Sequence, residues 1–316
     1  MNDFFITDIE KKIINAYQNG KSGCQIAKEN NLTNGKVYYV LEKYKVKMRS
    51  NKENSRKYFY NTDYFKEINT NEKAYWLGFI YADGYVAQQD GFKRFGLALS
   101  IKDIDHLKKF KKSIDATYPI NVYEPTEHSY SDNDYCRIEI FGDNIYNLLN
   151  SHGVVEHKTD ILTAPDINNK FKIPFIRGYF DGDGSVYCSE TQYSTKTKAY
   201  RIKIEGTLSI LNYIKDVIEE NNIAQINQYY KRRENNDTWT LDIGGNFQSK
   251  LFLDLIYKDS KLFLDRKYKL YQSLKKQIDF SISDQNYLNA VNTTKLNKYN
   301  VTKMSSLKET SGVKPL

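Results

Sequence analysis

Cysteine, histidine and long apolar runs are all scarce in this chain, and each shortage removes a class of explanation. The 316 residues include three cysteines, Cys24, Cys136 and Cys188. They stand far apart and form no CxxC pair, which argues for a reducing compartment and against a disulfide framework or a zinc site. The four histidines make no HExxH or other ligand-spaced cluster. No apolar run approaches the ~20 residues that span a bilayer, and no signal peptide is recognisable. The expectation is a cytoplasmic protein without membrane association, in a bacterial or phage-infected cell and near its nucleoid, with an organelle left open.

Positive charge is what the chain has in excess. The formal net charge is +8 and the isoelectric point about 9.0, which favours a polyanionic partner. The excess is uneven: residues 1–60 hold 12 basic and 6 acidic side chains, and the rest hold 35 and 33. Within that leading segment Thr7, Ser22 and Thr33 can each cap a short helix. Ile9, Ile13, Ile14 and Tyr17 recur at helical spacing in the first, Ile26 and Ala27 sit in the second, and Val37, Val40, Leu41 and Tyr44 share a face of the third. A short turn separates the last two, and Lys36, Lys43, Lys47 and Arg49 accompany the third. That layout suits a helix-turn-helix DNA-binding domain over residues 1–48, with a plain three-helix packing module as the alternative. Residues 49–71 are expected to be a basic linker that follows the phosphate backbone.

From residue 72 one plan runs twice. The motifs WLGFIYADG (76–84) and IRGYFDGDG (176–184) are near-copies, and each opens an αββαββα series, with a helix expected from about Asp103 to Tyr118 in the first and a strand near Ile226–Tyr230 in the second. The expected boundaries are 72–165 for the first repeat and 166–278 for the second, with a basic, partly disordered tail over 279–316. The fold class is therefore α+β, a pseudo-two-fold duplication with antiparallel sheets plus a small all-α domain. In each motif two small residues lie four apart, Gly78 and Ala82 in one and Gly178 and Gly182 in the other. Such strips let two helix backbones approach closely, so the motif helices are expected to pair and form the joint between the halves. Pairing would bring Asp83 and Asp183 together. Adjacent carboxylates repel unless a cation neutralises them, and Mg²⁺ prefers oxygen ligands. Asp181, Gly182, Asp183, Gly184 and Ser185 also look like the start of a calcium loop, but Val186 and Gln192 stand where that loop needs glycine and glutamate, which rejects it. Basic residues gather on or near the strands of both halves: Arg94 and Arg137 in the first, Lys196, Lys198, Arg201, Lys203, Arg232 and Arg233 in the second. They are candidate DNA-binding residues, although an ordinary solvated sheet face would also carry such charges.

The paired motifs resemble those of the LAGLIDADG homing endonucleases in their single-chain, two-repeat form. Gly78, Ala82, Asp83 and Gly84 match the signature in the first copy; Gly178, Asp181, Gly182, Asp183 and Gly184 match it in the second. Tyr81 departs from it, standing where the signature has an acidic sixth residue. The likeness covers about residues 72–275. It implies a monomeric endonuclease that cuts both strands of a long pseudo-palindromic DNA target with Mg²⁺, or Mn²⁺ as substitute, and leaves short 3′ overhangs. It further implies that Asp83 and Asp183 hold the metal with the backbone carbonyls of Ala82 and Gly182. Lys158 and Lys267 would polarise the water network, and Ser100 and Glu205 would line the two sites. The unequal last pair suggests unequal strand cleavage. The alternative is a non-cleaving nucleic-acid binder of the same fold, an RNA maturase or a transcription regulator.

Overall fold

Capped starts set the helices of the leading unit. The computed structural model describes residues 6–18, 20–48, 57–125, 133–191, 194–231 and 237–282. The chain divides into two compact units, residues 1–61 with 111–119 and residues 62–110 with 120–316. In the first, α1 (Asp8–Gln18), α2 (Gly23–Glu29) and α3 (Asn34–Lys43) begin after Thr7, Ser22 and Thr33. Ser22 accepts from the Gln25 amide while the Gln25 side chain accepts from the Ser22 amide, a reciprocal cap; Thr33 accepts from the Lys36 amide. The three helices close over Ile13, Tyr17, Ile26, Ala27, Val37, Val40 and Leu41. Glu10 fastens the end of α3 to the start of α1, accepting from Lys43 Nζ at 2.8 Å and Tyr44 OH at 3.0 Å. Those bonds, that of Lys43 above all, hold its carboxyl down at about 2. Residues 59–61 run beside 114–117 through backbone bonds Asn61 N to Ile114 O and Thr117 N to Phe59 O. Part of the expected linker is therefore packed structure, because its aromatics find partners: Tyr60 is buried in this unit, and Tyr64 and Phe65 in the other. Residues 49–56 lie outside the described residues.

The second unit carries the duplication. Its first half runs α4 (Asn71–Asp83), β1 (Gly84–Gln89), β2 (Phe92–Ser100), α5 (Ile104–Ser113), β3 (Asn121–Tyr123), β4 (Tyr135–Phe141) and α6 (Asp143–Ser151). The second half repeats the order as α7 (Lys172–Asp183), β5 (Gly184–Thr191), β6 (Ser194–Gly206), α8 (Leu208–Glu220), β7 (Tyr230–Lys231), β8 (Trp239–Gly244) and α9 (Asn246–Tyr257). Each half forms a four-stranded antiparallel sheet, ordered β1-β2-β4-β3 and β5-β6-β8-β7. The registers match: Gly84 faces Leu97 and Leu97 faces Ile138, as Gly184 faces Ile204 and Ile204 faces Leu241. Strand alternation buries Phe95, Leu97, Leu99, Ile138 and Ile140 on one side and Ile202, Ile204, Leu241 and Ile243 on the other half's equivalent side. The opposite faces carry Arg94, Arg137 and Glu139 in one sheet and Arg201, Lys203, Glu205 and Asp242 in the other.

Three elements depart from expectation. The helix expected to reach Tyr118 stops at Ser113, followed by Asp115 at φ +49°. The strand expected at 226–230 shrinks to Tyr230–Lys231. An unanticipated helix, α10 (Asp265–Ile282), follows the second αββαββα series, closes the segment assigned to the second repeat and covers the first four residues assigned to a tail; residues 283–316 lie outside the described residues. Among the described residues no helix is long and apolar enough to cross a membrane.

Candidate active site

The two motif helices meet where their side chains are smallest. A Cβ added to Gly78 would lie 2.0 Å from the Phe175 carbonyl oxygen, and one added to Gly178 would lie 1.9 Å from that of Tyr75. The reciprocity marks a pseudo-two-fold axis between α4 and α7. One turn on, a Cβ on Gly182 would meet the Ala82 Cβ at 2.2 Å and Asp83 Oδ2 at 3.2 Å. Both helices end on their aspartates, Asp83 and Asp183, so the carboxylates face each other across the joint.

Their surroundings disfavour charge. Burial pushes the Asp83 carboxyl up to about 7, the facing Asp183 adds to the rise, and Lys267 and Lys158 oppose it. Asp183 is raised as well, first by desolvation from the surrounding protein although the residue is exposed; Lys158 and Lys267 pull it down and Glu205 pushes it up. The lysines themselves cap the motif helices. Lys158 Nζ donates to Ala82 O at 2.8 Å. Lys267, 2% exposed, donates to Phe180 O at 2.6 Å, Asp181 O at 2.7 Å, Gly182 O at 3.2 Å and Gly184 O. An ammonium at a helix C-terminus satisfies carbonyls that the helix leaves open and opposes its negative end. Burial pulls Lys267 down to about 8.

A cavity of about 300 Å³ opens beside Asp183, lined by Ala82, Lys158, Tyr179, Asp183, Glu205 and Thr238 among others. The structure thus gathers Asp83, Asp183, Ala82, Gly182, Lys158, Lys267 and Glu205. Ser100 does not belong with them. By register the counterpart of Glu205 is Ala98, since each follows the residue paired with the motif glycine. Ser100 lies one strand repeat farther out, exposed, and precedes a short turn. The sites are therefore less alike than expected. Tyr179, whose hydroxyl donates to Glu205 O at 2.9 Å and lowers the Asp183 carboxyl, has Phe79 as its counterpart.

Asp181 and its counterpart in the first motif, Tyr81, differ too. Asp181 is fully buried and accepts from Tyr75 OH at 2.7 Å, Leu264 N at 2.8 Å and Tyr257 OH, which ties α7 to α4, α9 and the start of α10. Tyr81, at the matching position, donates to His152 O. Tyr81 fastens its motif helix to its own half, whereas Asp181 fastens its helix to both halves, and neither bonds the paired acids.

The chain is similar to LAGLIDADG homing endonucleases. The meganuclease I-SmaMI bound to uncleaveable DNA is 12% identical, with a TM-score of 0.44 over 72% of this chain and 97% of that one. The LAGLIDADG meganuclease I-AabMI bound to uncleaved DNA is 13% identical, with a TM-score of 0.43 over 66% and 91%. The LAGLIDADG homing endonuclease I-LtrWI bound to target DNA is 14% identical, with a TM-score of 0.45 over 75% and 97%. No family model and no curated protein matches the sequence.

Outside the paired motifs the candidate contact residues fall into three groups. Lys36, Lys47 and Lys198 are exposed, while Lys43 is committed to Glu10 at 2.8 Å. Arg94, Arg137, Arg201 and Lys203 stand on the outer sheet faces; Arg137 also stacks over Tyr123, and Lys203 over Tyr187. Arg49, Arg232, Arg233 and the side chain of Lys196 lie outside the described residues.

Proposed function

We propose that the chain is a site-specific double-strand DNA endonuclease of the LAGLIDADG type, dependent on Mg²⁺, with Mn²⁺ as substitute. The observation that carries this reading is the pair of aspartates brought together at the helix joint, each beside a helix-capping lysine. Among the described residues no group of three or more His, Cys, Asp or Glu gathers to hold a metal. The donor set here is two carboxylates with the carbonyls of Ala82 and Gly182. It suits Mg²⁺, which takes one or two carboxylates and completes its shell with water and substrate phosphate. The ion would neutralise the facing acids, activate water and stabilise the leaving oxygen.

The chain's own residues supply the rest. Asp83 and Asp183 supply the negative charge that recruits the ion at the symmetry axis of a bound duplex. Lys158 makes one carbonyl bond and faces the cavity, so its remaining protons serve a water or phosphate oxygen there. Lys267 is held by four carbonyls and acts as a fixed charge. Glu205 orders solvent beside Asp183. The two outer sheet faces lie in the major groove on either side of a long pseudo-palindromic target, cut to leave short 3′ overhangs. The three-helix unit is a helix-turn-helix that adds contacts through Lys36 and Lys47, and the protein acts as a monomer. The test is a plasmid library with randomised inserts, treated with the full chain in Mg²⁺ or in chelator. Linear products with 3′ overhangs are expected in Mg²⁺ alone. Duplexes that are bound yet never cut would favour the non-cleaving binder instead.

A further inference from the structure

The outer faces of the two sheets repeat one ion pair at the same register. Arg94 and Arg201 are matched residues of β2 and β6, each three before the residue paired with the motif glycine. Glu139 and Asp242 are matched residues of β4 and β8, each one after the partner of that same residue. Arg94 Nη1 lies 3.5 Å from Glu139 Oε1, and Arg201 Nε lies 3.2 Å from Asp242 Oδ1. In both pairs the acid is the deeper member: side-chain exposure is 16% for Glu139 and 14% for Asp242, against 37% and 58% for the arginines. Arg94 Nε and Asp242 Oδ1 are buried without a hydrogen bond, so each arginine is held over its acid by charge and keeps its terminal N–H groups for a ligand.

We propose that Arg94 and Arg201, braced by Glu139 and Asp242, read guanine at two positions equidistant from the centre of the DNA target. This rests on the reading of the sheets as a duplex-binding surface. The chemistry is the match of a guanidinium fork to guanine O6 and N7 in the major groove, where no other base pair offers that edge. Protein two-fold symmetry maps onto symmetric base positions. The surroundings say where symmetry breaks. Glu139 also binds Tyr85 OH at 2.7 Å and Arg137 Nη2 at 3.2 Å, while the counterparts of Tyr85 and Arg137 are Ser185 and Thr240. Arg137, resting on Tyr123, gives the first half a further contact that the second lacks.

Selection of randomised duplexes by binding to the full-length chain in Ca²⁺, followed by sequencing, tests this. Wild type is expected to enrich guanine about tenfold or more at two mirrored positions. Arg94→Lys should erase one preference and Arg201→Lys the other while overall affinity persists, because lysine keeps the charge without the fork. Glu139→Gln and Asp242→Asn should weaken the same preferences without removing an arginine. The proposal is overturned if no mirrored guanines are enriched, or if they survive both arginine substitutions. Failure to enrich any duplex would instead remove the endonuclease reading, and the proposal with it.

Discussion

Replacing Gly78 with alanine inserts a single methyl at the close crossing of α4 and α7. The new Cβ would fall 2.0 Å from the Phe175 carbonyl oxygen, where real Cβ contacts essentially never come under 3.0 Å. The obstacle is backbone, so no rotamer change relieves it, and α4 and α7 must separate by about 1 Å or more. Gly178 poses the same problem from the other side, at 1.9 Å from Tyr75 O. Each single substitution should cost about 3 kcal/mol, the upper end of what overpacking costs. For a unit of this size that lowers Tm by about 6–12 °C. The two contacts share one crossing, so helices already spread by the first alanine admit the second cheaply. The double variant should therefore cost at least about 1 kcal/mol less than the sum. Urea denaturation of wild type, both single variants and the double variant gives the cycle. An unchanged midpoint for Gly78→Ala, or fully additive costs, would refute the account of the joint.

Lys267→Met should destabilise by about 3 kcal/mol or more, since it leaves Asp181 O, Gly182 O and Gly184 O without their ammonium donor while Phe180 O keeps the Gly184 amide, and Lys158→Met by about 1 kcal/mol; equal costs in urea melts would contradict the caging of Lys267. Asp83 titrates near 3.8 when unfolded and at about 7 when folded, so between those values the native state binds the extra proton. Metal-free stability should thus fall as pH rises from 4 to above 7, with Mg²⁺ restoring it at the high end; a melting profile that is flat in pH, or is unchanged in Asp83→Asn, would count against the facing acids. Glu205 and Tyr179 attend one site where Ala98 and Phe79 attend the other, so nicking of the two strands should be unequal and Glu205→Ala should narrow the gap. Equal rates in a wild-type supercoiled-plasmid time course would contradict that asymmetry.

What the sequence made legible was whatever is written in local spacing. Thr7, Ser22 and Thr33 precede the helices they were expected to start, and the strips of Gly78, Ala82, Gly178 and Gly182 announce the close crossing. Lys158 and Lys267 were placed by likeness to the motif family, and they do stand at the motif helix ends. Ser100 was misplaced because strand register depends on hairpins. Asp90 and Gly91, both at positive φ, make a tight two-residue turn between β1 and β2, whereas the β5–β6 hairpin is longer and bulged near Glu190 and Thr191. Counting along the sequence cannot equate Ala98 with Glu205 across that difference. The role of Asp181 was hidden for another reason: its partners Tyr75 and Tyr257 are 106 and 76 residues away. The helix α10 was missed through its polar surface, yet Lys267, Tyr271, Leu274 and Ile278 recur at helical spacing and are its buried face.

The central claim is that Asp83 and Asp183, brought together by the helix joint, cut DNA as a pair. Its most direct test is cleavage of a selected target in Mg²⁺ by wild type, Asp83→Asn and Asp183→Asn, with binding to the same duplex measured alongside. The account predicts that both variants bind like wild type and that neither makes a double-strand break, leaving at most a nick. Either variant cutting both strands at the wild-type rate would contradict it.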